Sequence, residues 1–326
     1  MAFLLERKLA PTYRVRAFRQ AAEVLRELDE DEVLQRAQAG RLTELSGIGP
    51  VTSAVFTEAL AGSEPAYLQE LEAEPGPSAG EGGSLLAALH GDLHVHSDWS
   101  DGGSPIQEMA RTAMELGHEY VALTDHSPRL TVARGLSVER LRQQLDVVAE
   151  VNADVAPFRL LTGIEVDILD DGKLDQEPEL LEKLDVVVAS VHSKLRMESD
   201  AMTARMVTAI ANPHVDILGH CTGRMVSENK QRPPSTFDAD LVFEACRQFD
   251  VAVEINCRPE RRDPPHQLMA LALERGCMFA IDTDAHAPGQ LAWQPYGCSR
   301  AVESGVTADR VVNALDLTTF LAWTDR

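Results

Sequence analysis

Residues 92–102 read Asp-Leu-His-Val-His-Ser-Asp-Trp-Ser-Asp-Gly, a short apolar run that carries histidines at alternate positions. Side chains two residues apart on a strand share a face, so His94 and His96 can address one ion. Outward from this stretch the same kind of run recurs. Segments rich in Val, Ile and Leu fall at 93–96, 120–126, 160–168, 186–192, 215–220, 251–256 and 278–286, each followed by sequence long enough for a helix. Continuous rather than alternating hydrophobicity predicts strands buried on both faces, hence a parallel sheet. Seven strands alternating with helices predict an α/β chain that closes, or nearly closes, into a barrel. Between the first two runs a helix is expected, with Ser104 as N-cap, Pro105 at its first position and Gly117 past its end. Its Ile106, Ala110, Ala113 and Leu116 fall on one face.

Polar residues gather at the downstream ends of these runs, which in a parallel barrel open onto one rim. They are His94, His96, Asp101, Asp125-His126, Glu165, His192, His220, Asp284 and His286. Four further histidines, His90, His118, His214 and His266, lie elsewhere and read as ordinary structural or surface residues. Imidazole combined with carboxylate suits zinc, manganese or iron better than magnesium alone. The nine ligand candidates, His94, His96, Asp101, His126, Glu165, His192, His220, Asp284 and His286, are too many for one ion and point to two or three divalent metal ions. Such a cluster suits phosphoester hydrolysis, because bound ions lower the pKa of water towards ~7 and offset charge on the attacking and leaving oxygens.

The chain has 326 residues, of which 44% are hydrophobic, enough to fill a core and to exclude wholesale disorder. Thirty basic and 52 acidic side chains give a net charge of −22, which opposes non-specific attraction to nucleic acid. The opening Phe3-Leu4-Leu5 is cut short by Glu6-Arg7-Lys8, and no apolar run approaches the ~18 residues of a membrane span, so a cytoplasmic protein without a membrane partner is expected. Five cysteines without CxxC spacing fit reduced thiols. The stretch EAEPGPSAGEGGS at 72–84 reads as a linker. The expected division is a helical domain at 1–71, a linker at 72–89 and a catalytic domain at 90–326.

His94-x-His96 with Asp101, Thr-Asp-His126, Glu165, Ser-Val-His192, Gly-His220 and Asp284-x-His286 resemble the full motif set of the polymerase and histidinol phosphatase (PHP) family. The resemblance covers about residues 90–320 and implies a distorted (βα)7 barrel with a trinuclear site at its rim. It implies that His94, His96, Glu165 and Asp284 hold one ion, and that Asp101, His126 and His220 hold a second. His192, His286 and a bridging Glu165 would hold the third. Glu165 and Asp284 are the carboxylates able to relay protons, although as ligands they chiefly set metal geometry. Within the family, the wording at 92–102, 123–128, 212–220 and 253–256 is most similar to the domain at the C-terminus of bacterial family X DNA polymerases. In that context it implies a 3′–5′ exonuclease or 3′-end phosphatase.

The N-terminal part holds an expected helix at 13–28, with an apolar stripe through Phe18, Ala22 and Leu25 and with Arg14, Arg16, Arg19 and Arg26 along it. Residues 1–28 carry six basic and three acidic side chains. Leu45-Ser46-Gly47-Ile48-Gly49-Pro50 then forms a Gly-x-Gly hairpin before a helical Val51–Leu60. Glycines let backbone approach a phosphate, and a helix N-terminus offers free N–H groups. These segments resemble the helix-hairpin-helix domain that opens family X polymerases, with Gly47, Gly49, Arg14 and Arg16 as DNA backbone contacts. No paired Asp motif or polymerase core lies between the two parts, so nucleotide transfer is not expected. Arg224 and Arg258 are the first candidates for gripping substrate phosphate, followed by Arg129, Arg134 and Lys194, because each follows a ligand-bearing or rim-directed strand. The leading expectation is a hydrolase acting on nucleic-acid 3′ ends, with DNA as the expected partner. A phosphatase for a small metabolite such as histidinol phosphate or a nucleotide is the alternative, and a non-catalytic DNA-binding scaffold a third.

Overall fold

The computed structural model describes residues 1–227 and 230–325. The chain divides into two compact units, Met1–Gly76 and the remainder from Pro77 onward. No helix among the described residues is long and apolar enough to cross a membrane.

The first unit is wholly helical, with α1 Ala2–Arg7, α2 Thr12–Arg26, α3 Glu30–Gln38, α4 Pro50–Leu60 and α5 Ala66–Ala73. Val15, Phe18 and Ala21 are the buried face of α2, and Ala22, expected in that stripe, is only half-buried. Phe18 joins Leu5, Val55 and Leu71 in one apolar cluster. Buried Glu6 accepts from Arg19 Nε at 3.0 Å, tying α1 to α2. Arg19 is therefore not part of a solvated face.

The second unit holds seven parallel strands: β1 Gly91–Val95, β2 Tyr120–Leu123, β3 Arg159–Asp167, β4 Val186–Ser190, β5 Ile217–Leu218, β6 Ala252–Asn256 and β7 Phe279–Asp282. They are hydrogen-bonded in chain order. A parallel bridge between Val95 and Ala285 brings the last strand round to the first, so the barrel is nearly closed. Around it lie α6 Gly83–Leu86, α7 Ile106–Glu115, α8 Val138–Val155, α9 Pro178–Leu181, α10 Ser199–Ile210, α11 Ala239–Gln248, α12 His266–Glu274, α13 Gln294–Glu303 and α14 Leu317–Thr324. Alternate residues of one strand enter different clusters. Val186 and Val188 pack with Ala122, Ile217 and Ala252, whereas Val187 and Ala189 pack with Ile210, Leu218 and Val253. Both faces of the strand are buried, which is why the runs lack polar alternation.

Two local expectations are corrected. α7 begins at Ile106 with Pro105 in the cap position, extended at φ −61° and ψ 155°, so Ser104 is outside it. Its buried face is Ile106, Met109, Ala110 and Ala113, and Leu116 is exposed beyond its end. The stretch expected as a linker, 72–89, is largely structured. Glu72 and Ala73 close α5, while Leu85 of α6 and the preceding Ala79 are buried in the main core of the barrel unit. Gly82 permits this, since a Cβ there would lie 2.6 Å from the Cys298 carbonyl group. Composition reads those glycines as flexibility, whereas Gly82 serves close packing. All five cysteines are buried and free.

Candidate metal centre

Six of the seven strands deliver ligand candidates near or beyond their downstream ends. His94 lies on β1 with His96 just after it, His126 follows β2, Glu165 sits within β3, His192 follows β4, His220 follows β5, and Asp284 and His286 follow β7. Asp101 comes from the loop between β1 and α7. The imidazoles crowd together, with ring centroids of His96 4.1 Å from His286, 4.5 Å from His126 and 5.1 Å from His94.

Glu165 is the hub. Its Oε1 lies 2.9 Å from His220 Nε2 and 3.2 Å from His192 Nε2. Its Oε2 lies 2.7 Å from His126 Nδ1, 3.4 Å from His94 Nε2 and 3.7 Å from His96 Nε2. On the outer side Asp101 Oδ1 lies 3.3 Å from His286 Nε2 and 3.4 Å from His126 Nε2. Asp284 Oδ1 lies 3.5 Å from His96 Nε2. Three overlapping groups offer one ligand atom per residue within 4.8 Å of one another: His96, Asp101, His126 and His286; His94, His96 and Glu165; and His126, Glu165 and His192.

These atoms lack ordinary partners. Both oxygens of Glu165, both ring nitrogens of His96 and His192, and Nε2 of His94 are buried without a hydrogen bond. Unsatisfied buried polar atoms are costly, and their convergence on one space fits divalent cations. Ligation needs neutral imidazole and ionised carboxylate; Glu165, Asp284 and His96 are held in those states, whereas His192 must give up a proton to ligate. Burial would raise the Glu165 carboxyl, but the facing His192, His94 and His126 outweigh it and hold it well below the usual range. Burial is likewise outweighed at Asp284 by Arg261 and Arg258. His96 is pushed well down by burial and by the neighbouring His286 and His126. At His192 the opposing pull of Glu165 and Asp167 overcomes burial and lifts the ring to about 9.

A second layer orients these groups. Glu254, fully buried on β6, accepts from His94 Nδ1 at 2.5 Å and from the His220 amide at 2.5 Å, leaving His94 Nε2 to face the centre. Asn256 Nδ2 donates to Asp284 Oδ2 at 3.1 Å, and Arg261 Nε lies 3.1 Å from the same oxygen. His286 Nδ1 faces the Asp284 carbonyl at 2.8 Å, which leaves its Nε2 towards Asp101. Asp125, adjacent to a ligand candidate, is satisfied elsewhere. It accepts from Ser97 N at 2.8 Å and from Gln144 Nε2 at 2.6 Å, holding the loop that carries Asp101. Sequence reading missed Glu254, Asn256 and Arg261, whose one signal is polar residues inside or directly after an otherwise apolar run.

The nine candidates meet, but in a different grouping from the one expected. His286, not His220, stands beside Asp101 and His126, while His220 pairs with His192 at the far oxygen of Glu165. The phosphate-gripping candidates divide. Arg258 reaches the centre, with Nη1 2.9 Å from the Asp284 carbonyl and 3.0 Å from His286 Nδ1. Arg224 instead donates to the carbonyls of Arg261 and Arg262, Arg134 to those of Asp98 and Ser100, and Lys194 pairs with Asp170. Carbonyls left bare by irregular loops are what capture Arg224 and Arg134. Arg129 is exposed, and its amide donates to Asp175 Oδ2 at 2.7 Å.

In the helical unit, Gly47 adopts φ +96° and Gly49 has open space around its α-carbon. Gly49 caps α4 through Thr52 Oγ1, which both accepts from its amide and donates to its carbonyl at 3.0 Å. Arg14 and Arg16 are exposed on α2.

The sequence profile of the PHP domain matches residues 92–258, and that of a helix-hairpin-helix domain matches residues 1–64. The chain belongs to the PHP family. It is thereby a hydrolase of the phosphoester class, and the histidine and carboxylate cluster is a site for divalent metal ions. Among curated relatives, a protein of Bacillus subtilis (strain 168) named DNA polymerase/3′-5′ exonuclease PolX is 39% identical over 232 residues, covering 71% of this chain and 40% of the relative. The chain thus spans about two fifths of that relative's length. A probable phosphatase of Thermoanaerobacter sp. (strain X514) is 29% identical over 68% of this chain and 89% of its own. A crystal structure of histidinol phosphate phosphatase from Lactococcus lactis subsp. lactis Il1403, complexed with zinc, L-histidinol and phosphate, shares a TM-score of 0.49 at 16% identity, covering 67% of this chain and 95% of that one.

Proposed function

We propose that the chain hydrolyses phosphoesters at nucleic-acid 3′ ends, as a 3′–5′ exonuclease or 3′-phosphatase, with two or three zinc, manganese or iron ions at the barrel rim. The observation that carries this is Glu165, a buried carboxylate faced by His192 and His220 at one oxygen and by His94, His96 and His126 at the other. His94, His96, Glu165 and Asp284 would hold one ion, Glu165, His192 and His220 a second, and Asp101, His126 and His286 a third. When bound, divalent ions supply Lewis acidity and offset the charge that builds on phosphate oxygens. The chain's own residues prepare the site. Glu254 holds the Nδ1 proton of His94, Asn256 and Arg261 fix Asp284, and the Arg258 guanidinium, 17% exposed, lies against the centre where a phosphate oxygen would sit. The helix-hairpin-helix unit, with Gly47, Gly49, Arg14 and Arg16, would hold the strand by its backbone. The name of the B. subtilis relative supports the nucleic-acid substrate.

A second reading, a phosphatase for small monoesters, is favoured by the net charge of −22 and by the probable phosphatase matched over 89% of its length. Incubating the protein, chelator-stripped and then reloaded with each ion, with 3′-labelled single strands and with p-nitrophenyl phosphate separates the two. Metal-dependent shortening or 3′-dephosphorylation of the strand is the expected result. Strong monoester turnover with intact strands overturns it.

A further inference from the structure

Beside the metal centre lies a cavity of about 450 Å³ between the loop after β6 and the flank of α13, within the ~300–1,000 Å³ typical of small-ligand sites. Four arginines line it, Arg224, Arg258, Arg262 and Arg300, in a chain whose net charge is −22. The one carboxylate in its wall, Glu303, faces His266 at 3.5 Å. Arg224 and Arg300 spend donors on loop carbonyls, and neither they nor Arg262 has a carboxylate ion pair among the described residues. The side chain of Arg262 is exposed and makes no hydrogen bond among the described residues. Burial and the charges of Arg224 and Arg262 depress the Arg300 guanidinium to about 10, outweighing the opposing pull of Asp263. Arg258 joins the cavity to the chemistry. It lines the wall and also bonds the Asp284 carbonyl and contacts the His286 ring.

We propose that this cavity seats a second phosphate of the substrate, the phosphodiester next to the one hydrolysed at the metal centre. Guanidinium forks match phosphate oxygens, and a phosphate here supplies the ion-pair partner that Arg224, Arg262 and Arg300 lack among the described residues, Arg258 being paired already with Glu260 at 3.1 Å. The inference rests on the phosphoesterase reading above and deepens it. It selects substrates with two phosphates over simple monoesters.

The test compares wild-type protein with Arg262→Gln and Arg262→Lys on p-nitrophenyl phosphate, thymidine 3′,5′-bisphosphate and a short oligonucleotide. Loss of one charge-assisted contact in Arg262→Gln is expected to raise KM for the oligonucleotide and the bisphosphate by about tenfold at little change in kcat. The p-nitrophenyl phosphate kinetics should not move, and Arg262→Lys should restore most of the loss. Equal effects on all three substrates, or none on the oligonucleotide, overturn the proposal. A shift confined to the bisphosphate assigns the cavity to a free nucleotide and overturns the strand assignment. If no oligonucleotide is hydrolysed, the proposed activity fails separately, and anisotropy of a fluorescein-labelled trinucleotide on the metal-free protein still decides. Weaker binding to Arg262→Gln then supports the cavity, and unchanged binding overturns it.

Discussion

At the residue scale the decisive side chain outside the ligand candidates is Glu254. It sets which nitrogen of His94 faces the centre and fixes the backbone of His220, two contacts made by one fully buried carboxylate. Partners of ligating histidines raise ligand basicity, and their loss typically costs about 10- to 100-fold in metal affinity or activity. Glu254→Gln keeps the shape but loses the charge. It is expected to weaken metal binding within that range in a chelator competition, while the melting temperature of the metal-free protein changes little. A collapse of the metal-free protein with unchanged metal affinity would mark Glu254 as a packing residue only. The ligand candidates were legible because histidine and carboxylate at the ends of apolar runs have few other uses. Glu254 was not, since a single acid within the run Ala252–Asn256 reads as an interruption until its partners from β1 and β5 are seen.

At the scale of elements, the order of strands around the barrel explains the grouping that the sequence concealed. Along the chain His220 stands between His192 and His286, so either sharing is consistent with spacing. In space β7 returns to β1, through the Val95–Ala285 bridge and the His96 amide on the Ala285 carbonyl at 2.8 Å. His286 therefore meets Asp101 and His126, while β5 lies across from them and brings His220 to the other oxygen of Glu165. Closure is a long-range fact that no local pattern encodes. The same limit applies to α6, whose glycine-rich approach reads as linker although Leu85 is 4% exposed in the barrel core. Leu85→Ala should destabilise the barrel unit by about 2–4 kcal/mol in urea unfolding, as for other buried leucines. A change below about 0.5 kcal/mol, the size of an ordinary surface substitution, would return residues 78–86 to linker status.

At the scale of the whole molecule, charge is divided between the units. The chain carries −22, yet residues 1–28 hold six basic and three acidic side chains, and Arg14 and Arg16 are exposed on the helix that packs beside the Gly47–Gly49 hairpin's own helix α4. The acidic bulk repels a strand, so retention depends on local cation contacts that displace counterions. For single strands each phosphate contact contributes about 0.7 to the slope of log K against log salt. Replacing both Arg14 and Arg16 with Ala should therefore make that slope shallower by about 1.4 and weaken oligonucleotide binding most at low salt. Turnover of p-nitrophenyl phosphate, which needs only the barrel rim, should be unchanged. Titrating both proteins with a labelled single strand across a salt series reads the slope directly. An unaltered slope would mean that these arginines form a solvated face and that the strand is held elsewhere.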